Sequence, residues 1–388
     1  MKQSVAVELT KELVKIDSTN PGAYEIEIKD YIKGWLRPLP NVHITEAEVL
    51  PGRYNLMAEL PYKNNSSEYI PALIFICHMD TVVVGDGWNM SPFAATEYEQ
   101  KIYGRGACDM KSGLACCMSA FAHAACLMES GQLAKRPLKL ICTMDEEDFM
   151  RGSEHCIKSG WVTKDDWVVD AEPTNKQIQV AHKGRTWYGI TVTGLTAHAS
   201  TPWKGADSIA AMAEIIREIR LAIKAAPPHP DLGSSTVTFG QIEGGYRPYV
   251  VPDSCRLWVD MRLVPPLDTQ KTMEIVDNAI ARAKEAVPGI HAAYTITGDR
   301  PYIEKHDSAP LLAAVKDACV KATKEMPEVA CFPGYTDTAV IAGRLGNKNC
   351  LSYGPGKLEC AHKPDEWVEI RAIERCEKVF CELVNVIF

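Results

Sequence analysis

The segment Ala72-Leu73-Ile74-Phe75-Ile76-Cys77-His78-Met79-Asp80 decides the class of fold. Its six apolar residues have the length of a strand that is buried on both faces of a sheet, as strands of parallel sheets are. Residues two apart in an extended chain face the same side. We therefore expect Asp80 to lie beside His78 at the strand end and to accept its second ring N–H, as carboxylates do for metal-binding imidazoles.

Other apolar stretches alternate with amphipathic or buried helices over the first half of the chain. We predict helices over 4–16, 24–36 and 112–129, and strands over 55–60, 72–77, 138–144 and 167–169. Strands that alternate with helices are typical of βαβ units. The pattern therefore predicts an α/β fold with a mostly parallel sheet.

The alternation of buried strands with helices stops near His182 and resumes near residue 299. Between these points we predict half-exposed strands over 186–194, 237–242 and 254–263, and helices over 208–225 and 269–285. A helix over 309–324 and strands near Val329 and Leu351 follow. We therefore predict a catalytic domain made of residues 1–182 and 299–388, with a smaller α+β domain of residues 183–298 inserted into it.

Composition narrows the classes of partner. The chain has 388 residues and a formal net charge of −8, with no basic run interleaved with aromatic residues, so we expect no nucleic-acid partner. The first thirty residues contain no apolar block, and the longest apolar runs have strand length, so we expect no signal peptide and no membrane partner. Fourteen cysteines without a Cys-x-x-Cys pair favour reduced thiols and a cytoplasmic protein.

Four further motifs carry acids or histidine at strand ends or in turns. They are Asp109-Met110-Lys111, Asp145-Glu146-Glu147, Glu172-Pro173-Thr174 and His362-Lys363-Pro364-Asp365-Glu366. Together with the first motif they offer imidazole and carboxylate ligands suited to Zn²⁺, Mn²⁺ or Co²⁺. Each motif alone also has an ordinary interpretation: Asp109 as a helix cap, the three adjacent acids as a solvated turn, and Glu172 or His362 as loop residues.

The order and spacing of these motifs resemble a family of dinuclear metal amidohydrolases and exopeptidases. That family includes acetylornithine deacetylase, succinyl-diaminopimelate desuccinylase, aminoacylase and glutamate carboxypeptidase. Besides the five motifs above, the resemblance extends over Tyr103-Gly104-Arg105-Gly106, His182-Lys183-Gly184, Ala197-His198-Ala199-Ser200 and Gly354-Pro355-Gly356. His182-Lys183-Gly184 and the last histidine motif look most like the acetylornithine deacetylase branch.

The resemblance implies a centre of two divalent metal ions, with zinc expected and cobalt or manganese as alternatives. It gives His78, Asp109 and Glu172 to one ion. Glu147 and His362 go to the other ion, which shares Asp109. Glu146 remains as the general acid and base, which takes a proton from water and delivers it to the leaving nitrogen. Asp80 has a supporting role.

The resemblance also implies a role for the inserted domain as a lid and dimer interface. His198 would reach the active site of a neighbouring subunit and polarise the scissile carbonyl. A local role, such as capping the helix after Asp207, is the alternative. We accordingly expect a homodimer.

Three further residues are implied in substrate binding. Arg262 would hold the substrate carboxylate, a bidentate task suited to guanidinium, with a surface salt bridge as the alternative. Gly354 is assigned to substrate binding by the resemblance of its motif. Tyr249 stands where the family commonly has asparagine, and a phenol donates one hydrogen bond where an amide both donates and accepts. Substrate preference therefore need not carry over.

The predicted function is metal-dependent hydrolysis of the amide bond of an N-acyl amino acid. A dipeptidase or carboxypeptidase that uses the same centre on a short peptide is the alternative within enzymes. A non-catalytic ligand-binding relative is the alternative from another class. The presence of Glu146 and of the whole ligand set argues against it, because such relatives can dispense with the acid and base.

Overall fold

The chain forms two compact units. The computed structural model describes residues 4–60, 62 and 69–388. The first unit combines the chain up to Val180 with Lys305–Phe332 and Thr336–Phe388. The second contains Ala181–Glu304 and Pro333–Tyr335. The assignment of one unit to catalysis and the other to a lid or dimer interface remains a prediction.

The first unit holds most of the helices and strands. Its helices are α1 (Val5–Val14), α2 (Ile26–Leu36), α3 (Ser112–Glu129), α4 (Arg151–Lys158), α7 (Pro310–Thr323), α8 (Asp337–Leu345) and α9 (Ile370–Val386). Its strands are β1 (His43–Leu50), β2 (Arg53–Leu60), β3 (Leu73–His78), β4 (Thr96–Tyr98), β5 (Lys101–Tyr103), β6 (Leu138–Thr143), β7 (Trp167–Asp170), β8 (Ile178–His182), β13 (Val329–Phe332), β14 (Cys350–Ser352) and β15 (Trp367–Glu369). Strand β8 runs across the boundary between the units.

Eight of these strands form one sheet in the order β1-β2-β6-β3-β7-β14-β8-β13. The neighbouring pairs β6–β3, β3–β7 and β7–β14 are parallel, whereas β1–β2, β2–β6 and β14–β8 are antiparallel. Every residue of β3 is buried. The sheet is therefore parallel at its centre, and the predicted α/β fold class is confirmed. A small antiparallel sheet, β15-β5-β4, completes the unit.

The register of the parallel strands brings three strand ends together. His78, the last residue of β3, pairs with Thr143 at the end of β6, and Ile76 pairs with Asp170 at the end of β7. Segments that follow parallel strands emerge at one edge of the sheet, which is where open α/β sheets bind their ligands. The three segments with acids or histidine that directly follow β3, β6 and β7 therefore lie next to one another.

Helix α3 is the central helix of the first unit. It is apolar on nearly all sides, and its first ten residues are all buried. Residues 107–129 have the length and composition of a membrane span, but most of this segment is buried inside the protein, where α3 packs against α1 and α9. The apolar character of α3 is thus explained by its place in the core.

The second unit is a four-stranded antiparallel sheet packed against two helices. The strands are β9 (Gly184–Thr193), β10 (Thr236–Gly244), β11 (Ser254–Leu263) and β12 (His291–Arg300), in the order β10-β11-β9-β12. Helices α5 (Ser208–Ala225) and α6 (Thr269–Ala286) pack on each other, and α5 also packs on the sheet. Buried and exposed residues alternate along β11, as expected for a sheet with one covered face.

Candidate metal centre

Five side chains converge at the carboxyl edge of the main sheet. His78 ends β3, Glu147 follows β6, and Glu172 follows β7. Asp109 lies in the irregular turn between β5 and α3, and His362 lies between β14 and β15. These residues come from five separate parts of the chain, so their proximity is produced by the fold and not by local sequence.

The five residues form two groups that share Asp109. Nε2 of His78 lies 3.2 Å from Oδ1 of Asp109, and Nε2 of His362 lies 3.3 Å from Oδ2 of the same carboxylate. Glu172 completes the first group and Glu147 the second, and the potential ligand atoms in each group lie within 4.8 Å of one another. The two oxygens of Asp109 thus face different groups, which is the arrangement of a carboxylate that bridges two cations.

The remaining contacts are also at close range. Nε2 of His78 lies 3.7 Å from Oε1 of Glu172, and Nε2 of His362 lies 3.1 Å from Oε2 of Glu147. Two imidazoles and three carboxylates form a mixed nitrogen and oxygen donor set of the kind that binds Zn²⁺, Mn²⁺ or Co²⁺. The donor set fits two divalent ions.

The electrostatics of the site favour added positive charge. Burial raises the pKa of Glu172 well above its usual value, and the nearby Asp109 carboxylate raises it further. Burial would also raise the pKa of Asp109, but hydrogen bonds from His362 and His78 hold it below its usual range. With Glu146 and Glu147, four carboxylates face only two imidazoles. Cations would supply the missing charge, because buried carboxylates are costly unless paired.

Glu146 lies beside the two groups but belongs to neither. It is 8% exposed, and burial raises its pKa well above the usual value, an effect that the positive charge of His78 partly opposes. A carboxyl group with a raised pKa can both accept and donate a proton near neutral pH.

Asp80 holds the turn that carries Glu146 and Glu147. Its Oδ1 accepts the N–H of Glu146 at 3.1 Å, and its Oδ2 accepts the N–H of Glu147 at 3.2 Å. Nδ2 of Asn20 donates to the same Oδ2 at 2.8 Å. Nδ1 of His78 instead lies 2.9 Å from the main-chain oxygen of Asp80 and 3.7 Å from its Oδ1. The ring partner is thus the carbonyl and not the expected carboxylate, because the carboxylate is engaged by the turn.

A buried polar network, which we did not predict, supports the turn that carries Glu146 and Glu147. Asp145 has a positive φ of 68° and accepts hydrogen bonds from Arg53, Arg151 and Asn20. Arg53 is also paired with the buried Glu25. Asn20, Arg53 and Glu25 come from the first part of the chain, where their sequence context carries no ligand pattern. Only the turn residues around Asn20 marked this region as unusual.

Glu366 organises the turn that carries Asp109. Its Oε1 accepts the N–H groups of Cys108 and Asp109 at 2.8 and 3.0 Å. Its Oε2 accepts the N–H of Gly106 at 3.0 Å and a hydrogen bond from Nη1 of Arg105 at 2.6 Å. Glu366 and Arg105 are each 1% exposed. A single buried carboxylate thus fixes four groups of the turn.

Gly354 lies against the strand end that leads to Glu172. A Cβ at Gly354 would lie 2.2 Å from the carbonyl oxygen of Ala171, far inside van der Waals contact. The N–H of Gly354 donates to Oγ1 of Thr174 at 3.1 Å. Only glycine permits this approach, so a packing requirement accounts for Gly354 independently of any contact with substrate.

His198 and Tyr249 lie next to each other in the second unit. The N–H of Ala199 donates to the main-chain oxygen of Tyr249 at 3.1 Å, and both side chains are exposed. The N–H of Ser200 donates to Nδ1 of His198 at 3.2 Å. Asp207 caps helix α5 by itself, accepting from the N–H groups of the first turn. His198 is therefore not the cap of that helix.

Arg262 is engaged in an ion pair within the second unit. Its Nε and Nη2 donate to the two carboxylate oxygens of Asp260 at 2.8 and 2.9 Å. Asp260 also accepts a hydrogen bond from Nε1 of Trp187 at 2.8 Å. A substrate carboxylate at Arg262 would have to compete with Asp260 or share the guanidinium with it.

A parallel sheet whose strand ends carry two acid and histidine groups and a separate buried acid is typical of metal-dependent hydrolases. Residues 74–386 match Peptidase family M20/M25/M40, and the chain belongs to this family. It is therefore a hydrolytic enzyme.

Individual relatives agree with this placement. Acetylornithine deacetylase of Proteus mirabilis is 27% identical over 402 residues, covering 99% of this chain and 97% of that protein. Among solved structures, aminopeptidase PepT from Bacillus cereus has a TM-score of 0.79 at 22% identity, covering 99% of this chain and 98% of that chain. The Bacillus subtilis YXEP protein, described as a dinuclear metal binding peptidase of the M20 family, has a TM-score of 0.72 at 17% identity, covering 98% and 97%. At these identities the two structures show the shared fold.

Proposed function

We propose that this enzyme hydrolyses the amide bond of an N-acyl amino acid. The proposal draws on similarity to acetylornithine deacetylases, two of which are 27% and 26% identical to this chain over 99% of its length. The observation that carries it is the position of Asp109, whose two oxygens face His78 and His362 at 3.2 and 3.3 Å. A carboxylate in this position suits two metal ions that act together on one substrate.

In the proposed centre, His78, Asp109 and Glu172 hold one ion, and Asp109, Glu147 and His362 hold the other. Zinc is the proposed metal, with cobalt and manganese as alternatives. Such a pair of ions, when bound, polarises a carbonyl and lowers the pKa of water. The turn fixed by Glu366 and the turn fixed by Asp80 keep the ligands in place for this task.

Glu146 supplies the proton transfers in this proposal. Its carboxylate takes a proton from the attacking water, and the same carboxyl group then gives that proton to the departing amine nitrogen. Both transfers need a group whose pKa lies near the working pH. Burial raises the pKa of Glu146 in the direction that suits the second transfer.

His198 is proposed to donate a hydrogen bond to the oxygen of the scissile carbonyl. The N–H of Ser200 donates to Nδ1, and Oγ of Ser200 lies 2.8 Å from the same nitrogen, so Nε2 is the ring nitrogen proposed to carry the donated proton. The protein is proposed to be cytoplasmic and to form a homodimer through the second unit. In that dimer, this Nε2–H acts on the substrate of the partner subunit.

Arg262 is proposed to bind the carboxylate of the amino acid, and Gly354 to line the substrate site. Asp260 accepts hydrogen bonds from Nε and Nη2 of Arg262, which orients the guanidinium group but also competes with the substrate. Tyr249 adjoins His198 through the main chain and is proposed to restrict the acyl or side-chain group. Its bulk is the proposed reason for a substrate preference distinct from relatives that have asparagine there.

The test is a substrate comparison on protein reconstituted with zinc, cobalt or manganese. N-acetyl amino acids with basic, acidic and apolar side chains are compared with dipeptides that carry the same C-terminal residues. We expect kcat/KM for one of the N-acetyl amino acids to be at least about tenfold higher than for any of the dipeptides. Faster cleavage of dipeptides would replace the proposal by a dipeptidase or carboxypeptidase function. No turnover of either set in metal-loaded protein would contradict both.

A further inference from the structure

A cavity of about 310 Å³ lies in the first unit, and four of the nine residues that line it are basic. Its lining includes Lys176, Lys357, Arg371 and Arg375, together with Trp367 and Glu369. None of these residues belongs to the candidate metal centre. The cavity is therefore a separate concave site of unusual charge on a chain whose formal net charge is −8.

The cations of this cavity outnumber the acids that line it, four to one. Glu369 is the single acid in the lining, and its Oε2 already accepts from Nε of Arg371 at 2.6 Å. Lys176 has a distant, exposed partner, Glu325, at 3.8 Å. Within the part of the chain that the structure describes, Lys357 and Arg375 have no ion-pair partner within 4.0 Å. Like charges held together in this way attract anions.

The shape and chemistry indicate the class of ligand. Four cations against the carboxylates of Glu369 and Glu325 leave two positive charges, which suits a phosphate group better than a single carboxylate. Guanidinium and ammonium groups are the usual protein partners of phosphate. The volume exceeds that needed by a phosphate group alone, so it leaves room for an attached organic group. The ring of Trp367 in the lining already carries Nζ of Lys101 at 4.0 Å from its centre. The lining therefore fits a small organic phosphate.

The wall of the cavity is continuous with loops of the metal centre. The N–H of Asn175 donates to the carbonyl oxygen of Gly356 at 2.8 Å, and Thr174 forms a β-bridge with Lys357. Thr174 lies two residues after Glu172 in the chain. A ligand that draws Lys176 and Lys357 together would therefore act on the turn that carries Glu172.

We propose that this basic cavity is a second binding site, which takes a small phosphorylated molecule through Lys357 and Arg375. The site binds the ligand without chemical change. Its occupation does not depend on the reaction proposed above, since none of its residues acts in that reaction.

The test is calorimetric titration of the metal-loaded protein with inorganic phosphate and with phenyl phosphate, at constant ionic strength. The double variant Lys357→Gln/Arg375→Gln is compared with Lys158→Gln/Lys164→Gln, which removes the same charge from two exposed lysines of the same unit. We expect saturable binding in the wild type and in the control. The first double variant should bind at least about tenfold more weakly, as the loss of two charged contacts predicts.

Phosphate can also bind to metal ions, so the titrations are repeated after chelation. Binding in the cavity persists in the chelated protein, whereas binding at the metal centre is lost. Tighter binding of phenyl phosphate than of phosphate would identify an organic phosphate as the ligand class, and equal binding would identify free phosphate. Equal affinities of the wild type and Lys357→Gln/Arg375→Gln would overturn the proposal, as would the absence of binding to the chelated wild type at millimolar concentrations.

Discussion

Glu366 and Asp109 are joined by a hydrogen bond in which the main-chain N–H of Asp109 donates to Oε1 of Glu366 at 3.0 Å. The change Glu366→Gln places an amide N–H₂ against main-chain N–H groups and leaves Arg105 without its buried counter-charge. We expect the free energy of unfolding to fall by about 3 kcal/mol, the scale for breaking a buried ion pair. Denaturant unfolding of the metal-depleted protein measures this loss.

The matched control for that change is Glu359→Gln, which alters an exposed carboxylate in the same loop. It should leave the unfolding midpoint near that of the wild type. Because Glu366 holds the turn of Asp109, Glu366→Gln should also lower the number of metal ions retained per chain. Wild-type stability together with wild-type metal content in Glu366→Gln would contradict the positioning role.

Glu146 and Glu147 are adjacent in the chain but should respond differently to the same substitution. Glu146→Gln should keep the bound metal and lower kcat by at least about 10²-fold, since it removes the proposed proton carrier. Glu147→Gln should lower metal content first, since its carboxylate lies 3.1 Å from His362 in a ligand group. Elemental analysis and steady-state kinetics on both variants separate the two effects, and near-wild-type turnover in Glu146→Gln would remove this residue from the mechanism.

His198 permits a test of action between subunits. His198→Ala should lower kcat far more than it raises KM, because the proposed donor acts on the developing oxyanion. When His198→Ala subunits are mixed with Glu146→Gln subunits, one site of each mixed dimer regains both groups. Partial activity should therefore return, and its absence after proven subunit exchange would rule out action across a dimer.

His182 should make the stability of the protein depend on pH. Burial lowers the pKa of its imidazole from 6.5 to about 4. Between these pH values the unfolded chain binds a proton that the folded chain does not, so stability present above pH 6.5 is lost as the pH falls towards 4. The loss from this one residue should be about 3 kcal/mol.

Carboxylates titrate over the same range, so the comparison is between variants. His182→Gln should lack this component, and its unfolding free energy should fall less steeply between pH 7 and pH 4, roughly the window of histidine titration. His291→Gln, which alters an exposed histidine of the same unit, should follow the wild-type curve. Identical pH profiles for His182→Gln and the wild type would contradict the lowered pKa.

The fold class could be predicted from the apolar runs that end at polar groups. Strand β3 and helix α3 follow from such runs, because a buried segment must be apolar throughout and must end where polar groups appear. Strand β1 was not assigned, since it is an edge strand of mixed polarity with no fully buried residue. Helix α9 was also not assigned, although Ile373, Cys376 and Phe380 lie on one buried face at helical spacing and would have indicated it.

The candidate site was predictable to the extent that its residues follow strand ends. His78, Glu147 and Glu172 come together because parallel strands end at one edge. The contacts of Asn20 and Arg53 with Asp145 could not be read from the sequence, because they join segments that are 125 and 92 residues apart. Their effect depends on main-chain geometry at Asp145, which no composition pattern encodes.

The two N–H groups that Asp80 accepts have a consequence for engineering. A single acceptor fixes both the proposed proton carrier Glu146 and the proposed ligand Glu147. A designer who alters position 80 to retune acidity would therefore alter metal affinity in the same step. Directed changes of metal preference are better sought at His362, whose ring is half-exposed and contacts only the proposed ligands Asp109 and Glu147 among the ion pairs of the described residues.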